Sequence, residues 1–237
     1  MPIWITRSAP DNLWTARRLH RAGHRPLLAP VSEIQPLPHA PLDQPPHAIV
    51  FSSIHAVRNH VMDPALADTP VYACGDRIAA AAAALGYLTT TSLGSETALI
   101  GFIAATRAPG SRIAHYCSDY TSDRLQTALA DLQIARRQVY RTVPVGEAGL
   151  RIAETTLPRA DRILVHSAPA AARIAALLQG SNWTGTLHCI SPASAALFAD
   201  MPGLRITIAA QPSEESLLTA LETFHPSAAS PATNDNC

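Results

Sequence analysis

This sequence predicts an α/β fold of two similar parallel-sheet domains with flanking helices, and three observations carry that reading. Short apolar runs alternate with Ala- and Leu-rich helical stretches along almost the whole chain, the pattern of parallel strands covered by helices. The pattern also repeats. His47-Ala48-Ile49-Val50-Phe51-Ser52-Ser53 is echoed by Asp161-Arg162-Ile163-Leu164-Val165-His166-Ser167, Tyr72-Ala73-Cys74-Gly75 by His188-Cys189-Ile190-Ser191, and Ser95-Glu96-Thr97-Ala98-Leu99 by Glu214-Glu215-Ser216-Leu217-Leu218. Finally, 237 residues, 47% apolar and 15% charged, make one large or two small domains and are too apolar for a disordered chain.

The elements follow in order. Ile3 to Thr6 reads as a strand, Asp11 to Ala22 as a helix stopped at Gly23, and Arg25 to Val31 as a second strand. Ala48 to Phe51 is a strand before a helix from His55 to Val61. Val71 to Cys74 is a strand before the helix Arg77 to Leu85, whose alanines favour helix and allow close packing on a sheet, and which Gly86 ends. Then come Arg112 to Tyr116, Ser122 to Leu132 and Ala135 to Tyr140, in the order strand, helix, strand. Arg162 to His166, Pro169 to Leu178, Thr186 to Ile190, Ala193 to Ala199, Arg205 to Ala209 and a last helix from Glu214 to Phe224 complete the alternation. Residues 3–34 echo 113–143 more weakly, so the chain reads A-B-A′-B′, with A near 1–35, B near 36–110, A′ near 111–143 and B′ near 144–224. The repeat leaves open which A packs with which B. Residues 225–237 are polar and contain proline, and a disordered tail is expected there.

Composition excludes several functions. Eighteen basic residues balance eighteen acidic ones, so no basic field is available for nucleic acid. The basic residues are all arginine, which excludes a Schiff-base or phosphate-loop lysine. The start, Met1 to Arg7, lacks the order of a signal peptide, and the longest apolar run, Ile78 to Leu85, is far short of the about twenty residues of a membrane span. Cys74, Cys117, Cys189 and Cys237 show no metal-ligand spacing and read as reduced thiols in a cytoplasmic protein with no metal site.

Parallel sheets bind ligands at the carboxyl ends of their strands. The polar residues expected there are Thr6, Arg7 and Ser8; Ser52 and Ser53; Gly75 and Asp76; Ser118 and Asp119; Ser167; and Ser191 and Ser194. Small hydroxyl residues and turn formers suit the first turn of a helix, where free N–H groups can meet carboxylate or phosphate oxygens. The plainer reading is helix capping. No GxSxG, HExxH or GxGxxG motif is present. His166 and His188 stand at or near strand ends, while His55, His60 and His115 are scattered. Within residues 1–35, Arg7, Arg17, Arg18, Arg21 and Arg25 face only Asp11 and Glu33. The forked guanidinium suits carboxylate or phosphate, and Arg7, just after the first strand, is best placed to meet a polyanionic small molecule.

These residues also carry a family resemblance. Ile5-Thr6-Arg7-Ser8-Ala9-Pro10, Leu19 to Pro30, Phe51-Ser52-Ser53-Ile54-His55-Ala56-Val57, Val139-Tyr140-Arg141-Thr142, Val165-His166-Ser167-Ala168 and Pro212-Ser213-Glu214-Glu215-Ser216-Leu217 resemble, in order and spacing, the segments of the uroporphyrinogen-III synthase (HemD) family. The resemblance covers about residues 3–224. It implies two α/β domains joined by a two-stranded linker around a cleft: a discontinuous domain of 1–35 with 144–224 and an inserted domain of 38–138. The linker strands would lie near Ser32 to Leu37 and Val139 to Val145. It also implies a cofactor-free hydro-lyase that cyclises hydroxymethylbilane, inverting the terminal pyrrole through a spiro-pyrrolenine with loss of water. The partners it implies are that polycarboxylate substrate and a transient contact with the upstream bilane-forming enzyme, with the protein a monomer. Ser53, Ser167 and Ser194 are the candidate catalytic residues. Thr6, Arg7, Ser52, Gly75, Asp76, Ser118, His166 and Ser191 are the candidate substrate-binding residues, with His166 the alternative proton donor.

The chain departs from the family pattern in places. Ile78 stands where a threonine is common, Ser191 replaces a glycine while Ser194 keeps a hydroxyl, and no tyrosine follows Ser167, with Arg173 near its expected place. The alternatives are a non-catalytic two-domain module that binds an anionic small molecule or tetrapyrrole, and another cofactor-free α/β enzyme such as a sugar transferase.

Overall fold

The computed structural model describes residues 1–223; the expected tail, 225–237, lies outside the described residues. The elements run β1 (Pro2–Ile5), α1 (Asp11–Arg21), β2 (Arg25–Leu28), β3 (Ser32–Pro36), β4 (Ala48–Phe51), α2 (Ile54–Asn59), β5 (Val71–Ala73), α3 (Asp76–Leu85), β6 (Thr90–Ser92) and α4 (Glu96–Thr106). They continue with β7 (Arg112–Ser118), α5 (Arg124–Ala128), β8 (Gln133–Pro144), α6 (Glu147–Thr156), β9 (Arg162–Val165), α7 (Ala168–Gln179), β10 (Thr186–Cys189), α8 (Pro192–Ala195), β11 (Arg205–Ile208) and α9 (Glu214–Thr223).

Among the described residues the strands form two sheets, ordered β11-β10-β9-β1-β2 and β3-β8-β7-β4-β5-β6. The pairs β1 with β2 and β9, and β10 with β9 and β11, are parallel. So are β4 with β5 and β7, β5 with β6, and β7 with β8. The repeat can be read in this order. β7 and β8 take, beside β4-β5-β6, the places that β1 and β2 take beside β9-β10-β11. The described chain divides into two units: Met1–Glu33 with the described residues from Pro144 on, and Ile34–Val143.

Strands covered on both faces must be apolar on both faces. In the first unit Trp4, Ile163, Val165 and Leu187 pack against Ala171, Ile174 and Leu178 of α7, while Ile3, Ile5 and Leu164 pack on Leu19 of α1 and Leu217, Leu218 and Leu221 of α9. In the second, Ile49, Phe51 and Tyr116 meet Val57 of α2 and Ala82 of α3. On the other face Val50, Tyr72 and Ile113 meet Leu99 and Ile103 of α4 and Leu125 of α5. Alternate residues of one strand thus serve opposite cores.

Some boundaries differ from those the sequence suggests. Arg25 to Val31 is not one strand: pairing ends at Leu28 and resumes at Ser32, because Pro30 has no N–H for a ladder. Ser122 to Leu132 narrows to α5, and Ala193 to Ala199 becomes α8 followed by a 3-10 turn over Ala196–Phe198. β6, α4 and α6 are additions. α4 is apolar almost all round and contains Gly101, so it shows little amphipathic period.

Candidate functional site

In open parallel sheets a ligand crevice forms outside the carboxyl ends of the strands, where the strand order reverses direction. In the first unit that point lies between β1 and β9, in the second between β4 and β7. The residues just past those strands are the ones the sequence singled out.

In the first unit the point is ionic. Arg7 Nη1 donates to Glu214 Oε2 at 2.7 Å, and Arg7 Nη2 lies 3.6 Å from Asp11 Oδ2. Thr15 Oγ1 donates to Glu214 Oε1 at 2.5 Å, and His166 Nε2 is 3.0 Å from Glu214 Oε2. Burial by itself would raise the Glu214 carboxyl. The hydrogen bond and charge of His166, the Arg7 charge and the Thr15 hydroxyl outweigh burial and hold it down at about 2. An ionised carboxylate only accepts, so His166 Nε2 carries a proton. Its other nitrogen, Nδ1, is buried without a hydrogen-bond partner. Arg7 therefore has carboxylate partners within its own unit, which modifies the expectation that its charge is held for a ligand. Thr6 is fully buried and its hydroxyl donates to Leu164 O at 2.7 Å, tying β1 to β9.

The serines of this unit cap helices. Ser167 Oγ accepts from Ala170 N at 3.2 Å, fixing the start of α7. Ser191 accepts from Ser194 N at 3.4 Å, while Ser194 Oγ accepts from Ser191 N at 3.2 Å and donates to Ser191 O at 2.8 Å, so each satisfies the other. Ser194 is fully buried. Arg173, on α7, donates to Ser32 Oγ.

In the second unit the same point is built from neutral groups. Ser53 caps α2 by accepting from His55 N at 3.1 Å, and also accepts from the Tyr140 hydroxyl at 3.0 Å. Tyr140 is hydrogen-bonded to Ser118 as well, and burial pushes its hydroxyl pKa up. Ser118 Oγ is 3.0 Å from Thr121 Oγ1 and accepts from Tyr120 N at 3.2 Å. Ser52 Oγ is 3.1 Å from His115 Nε2, and burial, followed by the Arg136 charge, lowers that imidazole to about 4. Gly75 starts α3 at φ +115°, a conformation glycine alone takes readily, and Asp76 is exposed in the first turn. Ile78 packs into the core of this unit.

Of the residues singled out in the sequence, the structure brings Arg7 and His166 together in the ionic cluster, places Ser52, Ser53 and Ser118 in the hydroxyl cluster and sets Ser167 as a helix cap; Glu214, Tyr140 and His115, which join these clusters, were not among the candidates. His115 is a polar residue inside the apolar run of β7, which was a usable signal. Glu214 read as an ordinary helix-start acid, and its partner Arg7 lies 207 positions away. A cavity of about 760 Å³ in the second unit, lined by Leu37, His39, Met62 and Tyr116 among others, contains none of the expected residues. Among the described residues no group of three or more His, Cys, Asp or Glu could hold a metal, and no helix is long and apolar enough to cross a membrane.

The class defined here is a two-sheet parallel α/β protein with hydroxyls, imidazoles and an ion cluster at the switch points of its sheets and, among the described residues, no nucleophile triad. The uroporphyrinogen-III synthase HemD family model matches residues 15–219, and the chain belongs to that family, which works in tetrapyrrole biosynthesis. The chain is similar to the crystal structure of uroporphyrinogen-III synthetase from Helicobacter pylori, with 15% identity, a TM-score of 0.63, and 94% of this chain and 99% of that one covered. It is also similar to a mutant uroporphyrinogen III synthase from the extremely thermophilic bacterium Thermus thermophilus, with 16% identity, a TM-score of 0.52, and 94% and 96% covered. No curated protein matches the chain.

Proposed function

We propose that the chain is a uroporphyrinogen-III synthase, a hydro-lyase that closes hydroxymethylbilane into uroporphyrinogen III. The observation that carries this reading is the family match over residues 15–219. In the reaction the hydroxymethyl group leaves as water, and the substituted carbon of the terminal pyrrole attacks the azafulvene left behind. The resulting spiro-pyrrolenine fragments and recloses with that ring inverted. Left alone, the bilane closes at the free carbon instead, so the protein's task is to hold two chain ends in one geometry and to stabilise developing charge. Such a task fits sheet ends that carry hydroxyls, imidazoles and helix starts without a strong nucleophile. The family's two-stranded linker would fall at β3 and β8, where the chain passes from one unit to the other. The carboxylates of the substrate would meet the starts of α7 and α3 and the neighbouring Ser52, Ser118 and Ser191. The protein would act in the cytoplasm as a monomer, receiving the bilane from the enzyme that makes it.

The replacements at Ile78 and Arg173 favour one competing reading, a module that binds a tetrapyrrole without turning it over. The time course of bilane loss separates the two. A catalyst at a substoichiometric concentration accelerates loss over many equivalents, whereas a binder protects one equivalent and slows it.

A further inference from the structure

At the carboxyl end of the first sheet two arginines differ in what they have to hold. Arg7 donates to Glu214, so its charge is answered within the protein. Arg173 belongs to the other face of the sheet, on α7, whose Ala170, Ala171 and Ile174 pack with Trp4 and Val165. Its Nη1 donates to Ser32 Oγ, and Ser32 marks where the head group lies. The preceding residue, Val31, donates its N–H to Thr6 O at 3.0 Å, just past β1. The Arg173 guanidinium therefore sits at the carboxyl end of the sheet, where a ligand crevice forms. Ser32 is a neutral partner, and no described carboxylate pairs with Arg173. At Arg162 burial and then the Arg205 charge lower the pKa while Asp161 raises it; at Arg173 burial lowers it with no acidic charge in opposition. The buried side-chain atoms without a partner include Nε of Arg107, Arg136 and Arg137 but no nitrogen of Arg173. Its remaining N–H groups are thus open to solvent, on a half-buried side chain anchored at one nitrogen. A partly desolvated charge without a counter-charge is unfavourable by itself. A fork of N–H groups held at one end and free at the other matches a carboxylate.

We propose that Arg173, anchored on Ser32, is a substrate-binding residue that takes a carboxylate of the bilane. The proposal rests on the synthase reading, whose substrate is a polycarboxylate. The bound carboxylate supplies the counter-charge that the fold omits. Ser32 holds the guanidinium before the substrate arrives, so less side-chain freedom is lost on binding. In this role Arg173 meets no reacting atom. It fixes one side group of the bilane, and with it the place of the pyrrole that bears the group.

The test compares wild type with Arg173→Met, Arg173→Gln and Ser32→Ala, by denaturant melts and by kcat and KM for hydroxymethylbilane at low and high salt. Arg173 makes its hydrogen bond to a neutral hydroxyl, so its loss should leave the melting midpoint nearly unchanged. Both Arg173 variants should raise KM about tenfold or more, as expected for a lost charge-assisted hydrogen bond, with a smaller change in kcat. Ser32→Ala loosens the guanidinium but keeps its charge, and should raise KM by a smaller factor. Added salt should raise the KM of wild type more than that of the Arg173 variants. A packing role alone would lower the midpoint and leave KM and its salt response as they are. Folded Arg173 variants with KM within about twofold of wild type, or the failure of both to fold, overturn the proposal. A wild type that makes no type III product defeats the synthase reading and the proposal with it. An active wild type whose Arg173 variants keep its KM defeats the proposal alone.

Discussion

Ser53 accepts two hydrogen bonds, from the His55 N–H and the Tyr140 hydroxyl. With both lone pairs engaged, its own proton is left to be donated elsewhere, which makes it a hydrogen-bond donor rather than a base. Ser167 and Ser194 are likewise engaged in helix caps. Replacing any of the three by alanine should therefore lower kcat by less than about 100-fold, the low end of what a positioned acid contributes. Ser167→Ala should also lose about 1 kcal/mol of stability with its cap. Steady-state rates and denaturant melts on the three variants check both, and a larger kcat loss in a folded serine variant contradicts the assignment. Arg7 changes character once the structure is known. Arg7→Ala leaves the buried Glu214 with one cation fewer and should destabilise the chain by about 3 kcal/mol, visible in the same melts. An unchanged melt with a raised KM would return Arg7 to the substrate-binding role its sequence position suggested. The sequence could place Arg7 at a strand end, since that is local. It could not show Glu214 beside it, since that pairing exists only after β1 and α9 have been brought together.

At the level of elements, the sequence was legible where a period or a stop signal was strong. The strand cores Ile3 to Ile5, Ala48 to Phe51 and Arg162 to Val165, and the helix closed by Gly86, needed only local pattern. α4 and α6 escaped because the first is apolar on all sides and the second carries Gly149 within its span. The end of α3 that faces the carboxyl end of β5 depends on one residue. Gly75 sits at φ +115°, ψ 156°, with no atom within 4 Å of where a Cβ would stand. Gly75→Ala therefore meets no clash and tests backbone strain alone. It should cost about 1–3 kcal/mol, and an unchanged denaturation midpoint would contradict the observed turn.

Among the described residues, burial moves the imidazoles of His60, His115 and His188 furthest toward the neutral form. Burial, followed by the charge of His39, lowers His60 to about 4; burial and Arg136 lower His115 to about 4; burial and Arg162 lower His188 to about 3. In the unfolded chain each takes a proton near pH 6.5. Between those values the unfolded state binds more protons, so stability rises with pH: this contribution is whole above about 6.5 and is lost as pH falls toward 4. Glu214, held at about 2, adds a second loss below the ordinary carboxylate range. Urea melts at pH 7, 5.5 and 4 should show a steadily falling midpoint, and a flat series would contradict the burial of these rings. The internal repeat was legible as sequence, and the two equivalent strand orders give it a spatial form. The contrast between an ionic switch point in one unit and a neutral one in the other was not legible, because it depends on which side chains meet. The central claim, that this chain directs ring closure, is tested most directly by the isomer it makes. Freshly prepared hydroxymethylbilane is incubated with catalytic amounts of the protein, and the products are oxidised and separated by chromatography. The account predicts mainly the type III isomer, whereas a type I profile equal to that of the control without protein would contradict it.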